Sequence, residues 1–155
     1  MNFDKEYLTK EKHGELSEEL DLLRRVKRKE IAEQLESARS LGDLSENAEY
    51  QEAREEQGKI ETRILHLEEI LRRAEILKHK HSDSVDLGSV VTVQKTKGDE
   101  KNTYEIVGSA EVDILKNKIS FQSPLGSALM GKKKGDDFVF ETPKGKVEYK
   151  VLKVE

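Results

Sequence analysis

Cysteine and tryptophan are both absent from this 155-residue sequence, and aromatic residues make up only 5% of it. Without cysteine there are no disulfide bonds and no thiolate metal sites. No run approaches the ~20 apolar residues that a membrane-spanning helix requires. The opening stretch, MNFDKEYLTK, has no apolar segment typical of a signal peptide. These absences predict a cytoplasmic protein that does not bind a membrane.

Apolar residues are scarce throughout the chain, at 34% against 39% for charged residues. This proportion is too small for one large core, and it favours an elongated helical part joined to a compact domain. The net charge of −4 does not indicate a nucleic-acid-binding protein by bulk charge. The densest basic run is RRVKRK, residues 24–29, and its simplest interpretation is a solvated helix face.

Two stripes of mostly apolar residues at helical spacing predict a helical hairpin. The members of the first stripe are Leu16, Leu20, Leu23, Val26, Ile31, Leu35 and Ala38. The members of the second are Tyr50, Ala53, Gln57, Ile60, Ile64, Leu67, Leu71 and Ala74. The second stripe has the alternating steps of a coiled-coil seam, whereas the first has an uneven step after Val26 that suggests a local shift in packing. Residues 41–46 leave room only for a sharp reversal, so the two helices must run antiparallel. Helices of about 25–30 residues predict a hairpin roughly 40 Å long.

The stretch GDLSENAEY, residues 42–50, lies at the predicted reversal. Gly42 suits a left-handed cap at the end of the first helix, and Asp43 or Ser45 can cap the start of the second. Capping alone would explain Asp43 and Glu46, since acidic side chains are favoured near a helix N-terminus. The alternative is that the capped bend presents these carboxylates to something outside the protein.

The periodicity changes in the last third of the chain, where it predicts a small antiparallel sheet. Strands are predicted around Val90–Val93, Tyr104–Val107 and Ile119–Phe121, followed by two strands joined at Pro143–Gly145, with one helical turn within Ser123–Asp136. The predicted fold class is therefore α+β. It combines a long antiparallel coiled-coil hairpin (1–78, tip at 42–49), a linker (79–87) and a small antiparallel β-sheet domain with a short helix (88–155). The sheet domain is of the kind found in FKBP-type prolyl isomerases.

Motifs of a self-sufficient enzyme are missing. The sequence has no glycine-rich phosphate loop and no nucleophile elbow. His79, His81 and Asp83 are close together, but no third histidine is near them in sequence, so a loose hinge is a better interpretation than a metal site.

The run GDLSENAEYQEAREEQG, residues 42–58, closely resembles the tip of the bacterial Gre transcript cleavage factors. The similarity extends along nearly the whole chain and includes YLTKE, ELDLL, ILRRAEIL and SPLGSALMGKKKGD. This resemblance implies a transcription elongation factor that docks its C-terminal domain on RNA polymerase. The hairpin would then enter the polymerase's secondary channel and promote hydrolysis of the 3′ end of backtracked nascent RNA.

The resemblance also implies roles for individual residues. Asp43 and Glu46 would hold a second Mg²⁺ and orient the attacking water, Arg39 and Arg54 would contact the RNA 3′ segment, and Ser123, Pro124 and Leu125 would dock on the polymerase. Two carboxylates alone would hold Mg²⁺ weakly, because this ion prefers six oxygen ligands and loses its waters reluctantly. They can, however, complete a site that already contains one metal. We therefore expect a protein that is not an enzyme on its own and that functions as a monomer.

Three alternatives stay open at this point. One is a Gre-homologous protein that enters the same channel and inhibits, although such proteins carry a more acidic tip. A second is a helical-hairpin adaptor or chaperone whose carboxylates serve only as caps. A third is a prolyl isomerase. Two departures from the family pattern, Lys29 in place of a frequent proline and Ser127 in place of a basic residue, concern affinity rather than the tip.

Overall fold

The computed structural model describes residues 4–42, 47–78 and 82–155. The chain divides into two compact units. Glu11–Arg73 form a helical unit, and the described residues up to Lys10 join Ala74–Glu155 in a sheet unit. None of the helices in the described part of the chain is long and apolar enough to cross a membrane.

The helical unit is built from three α-helices and one π-helical turn. These are α1 (Lys10–Leu22), the π turn (Leu23–Lys27), α2 (Arg28–Arg39) and α3 (Ala48–Arg73). The buried side chains are Leu16, Leu20, Ile31, Ala38, Ala53, Ile60, Ile64, Leu67 and Ile70. Most of them belong to the two predicted stripes, so the predicted hairpin is confirmed. The predicted end of the second stripe is wrong, because Ile70 is buried where Leu71 is only half-buried, and Ala74 lies in a strand.

The π turn explains the uneven step in the first stripe. Within it the Arg28 N–H donates to the Leu23 carbonyl five residues earlier, instead of the usual four. A π turn therefore accommodates an extra residue and shifts the phase of the apolar stripe. Val26 consequently points away from the interior and is 41% exposed, although the periodicity placed it in the seam. The predicted shift in packing is confirmed.

Three ion pairs link α3 to the first arm of the hairpin. Arg63 donates through Nε and Nη2 to the two oxygens of Glu19, at 2.6 and 2.8 Å. Arg28 binds Glu61 in the same two-pronged manner at 2.7 and 2.6 Å, and Arg24 pairs with Glu68. Each pair is partly exposed, so each stabilises the hairpin only modestly. Together they restrict sliding of one arm along the other.

Acidification is expected to weaken the helical unit. Hydrogen bonds from Arg63 and Arg28 lower the pKa of Glu19 and of Glu61, respectively, from the ordinary value of 4.5. A carboxyl with a lowered folded-state pKa contributes stability above its unfolded pKa and loses that contribution as pH falls through the folded value. Thermal unfolding followed by circular dichroism should therefore show a decreasing midpoint below about pH 4.5. The variant Glu61→Gln should show a weaker decrease, and an equal decrease would contradict this origin.

The sheet unit contains a five-stranded sheet in the order β5-β4-β3-β7-β6. Its strands are β3 (Val90–Lys95), β4 (Lys101–Val107), β5 (Lys118–Ser120), β6 (Asp137–Thr142) and β7 (Gly145–Val154), and α4 spans Pro124–Leu129. The strands and the short helix are confirmed as predicted. The sheet is mixed, however, because β5 runs parallel to β4. The chain between these two strands makes a crossover through short helical turns instead of a tight hairpin, which is what a parallel pair requires.

Two further strands were not predicted. Strands β1 (Glu6–Leu8) and β2 (Ala74–Ile76) form a separate parallel pair within the sheet unit. The division into units thus differs from the predicted boundary at residue 78. Val85, in the predicted linker, also belongs to the sheet unit, where it is 2% exposed in the core.

Close contacts tie the β1 segment to the rest of the sheet unit. Ala110 N–H donates to Glu6 Oε1 at 2.8 Å, and the Tyr7 ring meets Phe121 edge to face at 6.0 Å. Thr9 donates from its backbone and hydroxyl to the buried Glu111 carboxylate, at 3.1 and 2.7 Å. These buried polar contacts are satisfied, so they hold the segment in one position.

Candidate functional site

The described residues include only part of the acidic tip of the hairpin. Asp43, Ser45 and Glu46 lie outside the described residues, so their predicted roles stay predictions. The described chain reaches Gly42 on one side and resumes at Asn47 on the other. Gly42 has a φ of +124°, a conformation that favours glycine, as expected for the residue that turns the chain after the first helix.

The side chain that caps α3 is Asn47. Helix α3 begins at Ala48, and Asn47 Oδ1 accepts the Tyr50 N–H at 3.1 Å, the usual bond of an N-cap. Asp43 and Ser45, the predicted caps, lie outside the described residues, so that prediction stays a prediction. Within the described residues, the N-cap bond of α3 is made by the amide of Asn47.

Asn47 also contacts the other helix. Its Nδ2 donates to the Ala38 carbonyl at 2.7 Å, which also accepts the Leu41 N–H at 3.2 Å. The final carbonyls of a helix lack regular intrahelical partners, and this bond gives the Ala38 carbonyl a further partner from the other helix. Sequence reasoning missed this residue, although asparagine is among the preferred N-cap residues and directly precedes a good helix former.

Negative charge continues beyond the tip along the first turns of α3. Glu49, Glu52 and Glu56 are exposed and line an open cavity of about 450 Å³, together with Gln34 and Ser37 of α2. Within the described residues, no group of three or more acidic, histidine or cysteine side chains is arranged to hold a metal ion. Of the three residues considered as a metal site at the predicted hinge, His79 and His81 lie outside the described residues, and Asp83 is exposed.

The two predicted RNA-contacting arginines flank the tip on separate helices. Arg39 ends α2 and Arg54 lies in the second turn of α3, and both are exposed. Arg54 Nη1 donates to Gln57 Oε1 at 3.1 Å. Among the described residues, neither arginine forms an ion pair.

The basic run at 24–29 differs in this respect, because each of its charged side chains has an acidic neighbour. The pairs are Arg24–Glu68, Arg25–Asp21, Lys27–Glu30, Arg28–Glu61 and Lys29–Glu33. Two of these carboxylates lie on α3 and the others on the first arm. The run is thus part of the hairpin's own ion-pair network, in agreement with the simplest interpretation of it.

The predicted docking residues lie at the start of α4. Ser123 caps this helix, because its Oγ accepts the Gly126 N–H at 3.1 Å and donates to the Ser120 carbonyl at 2.6 Å. Pro124 occupies the first turn, where a missing N–H costs nothing, and it is exposed. Leu125 is half-buried against the core. Pro124 is therefore the most accessible of the three, while Ser123 shapes the backbone that presents it.

Gly126 is a further requirement of this loop that sequence reasoning did not identify. A Cβ at this position would lie 2.0 Å from the Ser120 carbonyl oxygen. No side chain fits there unless the backbone moves. The close approach holds α4 against the end of β5 and so fixes the orientation of Pro124.

The aromatic residues of the sheet unit are used mainly for packing. Phe121 and Phe138 are buried in the core, and Phe138 stacks on Tyr149 with ring centroids 5.5 Å apart. Burial raises the pKa of the Tyr104 hydroxyl. One open cavity of about 730 Å³ touches Phe138, but its lining is mostly polar and charged. These features do not favour the aromatic-lined pocket of a prolyl isomerase.

Comparison with known proteins covers both units. Residues 6–76 match the family model "Transcription elongation factor, N-terminal", and residues 79–155 match "Transcription elongation factor, GreA/GreB, C-term". The chain is 46% identical over 157 residues to transcription elongation factor GreA of Clostridium botulinum, covering 99% of this chain and 98% of that protein. It is 44% identical over 149 residues to GreA of Thermosipho melanesiensis, covering 96% of each.

A solved structure is also similar. GreA factor homolog 1 (Gfh1) of Thermus thermophilus is 33% identical, with 97% of this chain and 99% of that chain covered and a TM-score of 0.46. The family models and the curated relatives, which extend over nearly the full length of the chain, agree with each other. This chain therefore belongs to the GreA/GreB family of transcription elongation factors.

Proposed function

We propose that this protein binds RNA polymerase and stimulates the polymerase's own cleavage of backtracked nascent RNA. The sheet unit docks at the rim of the secondary channel through the α4 loop, with Pro124 foremost. The hairpin enters the channel as a monomer, so that Asp43 and Glu46 reach the polymerase's catalytic centre. The protein is then not an enzyme by itself, because the bond is cleaved in the polymerase.

One observation supports this proposal more than any other. Asn47 already makes the N-cap bond of α3 to the Tyr50 N–H. Because this bond needs no carboxylate, the proposal assigns the carboxylates of Asp43 and Glu46 to a partner. Arg39 and Arg54, exposed on either side, are suitably charged to bind RNA phosphates near its 3′ end.

The proposed cofactor is Mg²⁺ shared with the polymerase. The donor set fits it in part, because carboxylate oxygens are the ligands this ion prefers, but two side chains supply fewer than the six oxygens it requires. When bound, Mg²⁺ activates water for attack on a phosphodiester. The task of Asp43 and Glu46 is to contribute negative charge and to accept a hydrogen bond from that water, which fixes its direction of approach.

A backtracked transcription complex provides the test. Purified protein added to a stalled complex with labelled RNA in the presence of Mg²⁺ should release short 3′ fragments, and the shortened RNA should then resume elongation. Complexes without the protein should cleave far more slowly. Slower elongation without fragments would instead indicate a channel inhibitor. Unchanged RNA together with binding of a non-polymerase protein would indicate an adaptor, and either result would contradict the proposal.

A further inference from the structure

One side chain joins the two helices at the bend of the hairpin. Asn47 Oδ1 accepts the Tyr50 N–H at the start of α3, and Asn47 Nδ2 donates to the Ala38 carbonyl in the last turn of α2. The backbone of Asn47 contributes as well, because its carbonyl accepts the Gln51 N–H at 3.0 Å, which begins the helical ladder of α3. Three bonds thus converge on one residue.

The residue type follows from this geometry. A carboxamide is short and carries one acceptor and one donor group on the same planar end, so it can bind an amide N–H and a carbonyl at once. Aspartate can replace the acceptor but would place a negative charge against the Ala38 carbonyl. Serine can cap a helix, but its hydroxyl is too short to reach the second helix as well. Asparagine is therefore required for the bridge, whereas several residues would suffice for the cap.

We infer that Asn47 is a positioning residue for RNA cleavage: its bridge between Ala38 and Tyr50 fixes the two ends from which the acidic segment 43–46 departs. This inference rests on the proposed function, in which Asp43 and Glu46 act inside the polymerase. On the other side of this segment is Gly42, whose positive φ turns the chain. When Asn47 and Gly42 are held in place, less conformational entropy has to be lost as the carboxylates bind in the polymerase's catalytic centre.

Two variants separate the bridge from the cap. Asn47→Ser and Asn47→Asp both retain an acceptor for the Tyr50 N–H, and both lose the donor to the Ala38 carbonyl. Serine adds no charge, so it controls for the new carboxylate that aspartate introduces. Each full-length variant is added to the backtracked complex over a range of protein and Mg²⁺ concentrations. Helicity by circular dichroism and exchange of the Tyr50 amide by NMR are measured on the free proteins.

The expected result is a change in rate without a change in docking. The maximal cleavage rate should fall about tenfold or more in both variants, because a small misplacement of reacting groups has effects of this size. The Mg²⁺ concentration needed for half-maximal cleavage should rise. Helicity, protection of the Tyr50 amide and the protein concentration at half-maximal effect should stay at wild-type values, which a purely structural role would not allow.

Several outcomes would overturn the inference. Wild-type cleavage by both variants would mean that the bridge positions nothing. Loss of helicity or of polymerase affinity in both would mean that Asn47 stabilises the hairpin as a whole. Asp43→Asn, assayed in parallel, separates this inference from the proposed function. If Asp43→Asn stimulates cleavage at the wild-type rate, the proposed function fails. If Asp43→Asn is inactive while both Asn47 variants are normal, only the role of Asn47 fails.

Discussion

Asp43→Asn and Glu46→Gln are each expected to reduce RNA cleavage by about 100-fold or more, the range found when one electrostatic contact to a transition state is removed. These substitutions keep the size and most of the polarity of each side chain and remove only its charge. An amide is a poor ligand for Mg²⁺ compared with a carboxylate, and it orients water less strongly. Binding to the polymerase should be unchanged, because the proposed docking loop lies in the other unit.

The matched controls are two carboxylates on α3. Glu49→Gln and Glu52→Gln remove the same charge from exposed positions close to the bend. If cleavage depends on where each carboxylate lies, and not only on the total negative charge, these two variants should stimulate cleavage at nearly the wild-type rate. Equal losses in all four variants would instead indicate that the acidic end acts through its net charge. A decrease in the unfolding midpoint of Asp43→Asn or Glu46→Gln, with cleavage retained, would indicate that these residues have a structural role instead.

Gly126→Ala is expected to destabilise the sheet unit by about 3 kcal/mol, at the upper end of the cost of overpacking. The new methyl group would lie 2.0 Å from the Ser120 carbonyl oxygen, which is backbone and cannot rotate away. Helix α4 would have to separate from β5, and Ser123 would lose its two hydrogen bonds there. Thermal unfolding should show a lower midpoint, and the concentration of protein required for cleavage should increase.

Gly58→Ala is the control for this substitution. Gly58 lies within α3, and a Cβ added there would have no neighbour within 4 Å. Alanine is the better helix former by about 1 kcal/mol, so this variant should be slightly more stable than the wild type. Cleavage should be unaffected. If Gly126→Ala were as stable as Gly58→Ala, the close approach of α4 and β5 would not hold in solution.

The helical hairpin was largely predictable, because the apolar residues of its two stripes recur at helical spacing over most of their length. The errors occur where that spacing changes. Val26 falls in a π turn, and Ala74 belongs to a strand of three residues, which is too short for alternation to be visible. The direction of β5 was also not predictable, since the alternation of a strand carries no information about the orientation of its partner.

In the candidate site, the exposure of the contact residues was predictable, whereas contacts between distant residues were not. Arg39, Arg54 and Pro124 are exposed, as contact residues must be. The ion pairs of the basic run could not be predicted in full, because Glu61 and Glu68 lie 33 and 44 residues away from their partners Arg28 and Arg24. The role of Asn47 depends on a carbonyl nine residues earlier on another helix. Such contacts follow from the meeting of two helices and not from any local pattern.

The additional residue in the turn at Leu23–Lys27 determines how the length of this hairpin can vary. Each residue of an α-helix advances by ~100°, so the loss of one residue between Ile31 and Ala38 would rotate Ala38 out of the interface. The π turn that absorbs a single extra residue lies earlier in the arm, at Leu23–Lys27. A compensating loss in α3 could not restore the pairing, because α3 has its own buried face. Outside the π turn, insertions and deletions are therefore tolerable only as whole turns made in both arms together. The length of the hairpin should therefore change between homologous chains in steps of ~5.4 Å, one helical turn, and not continuously.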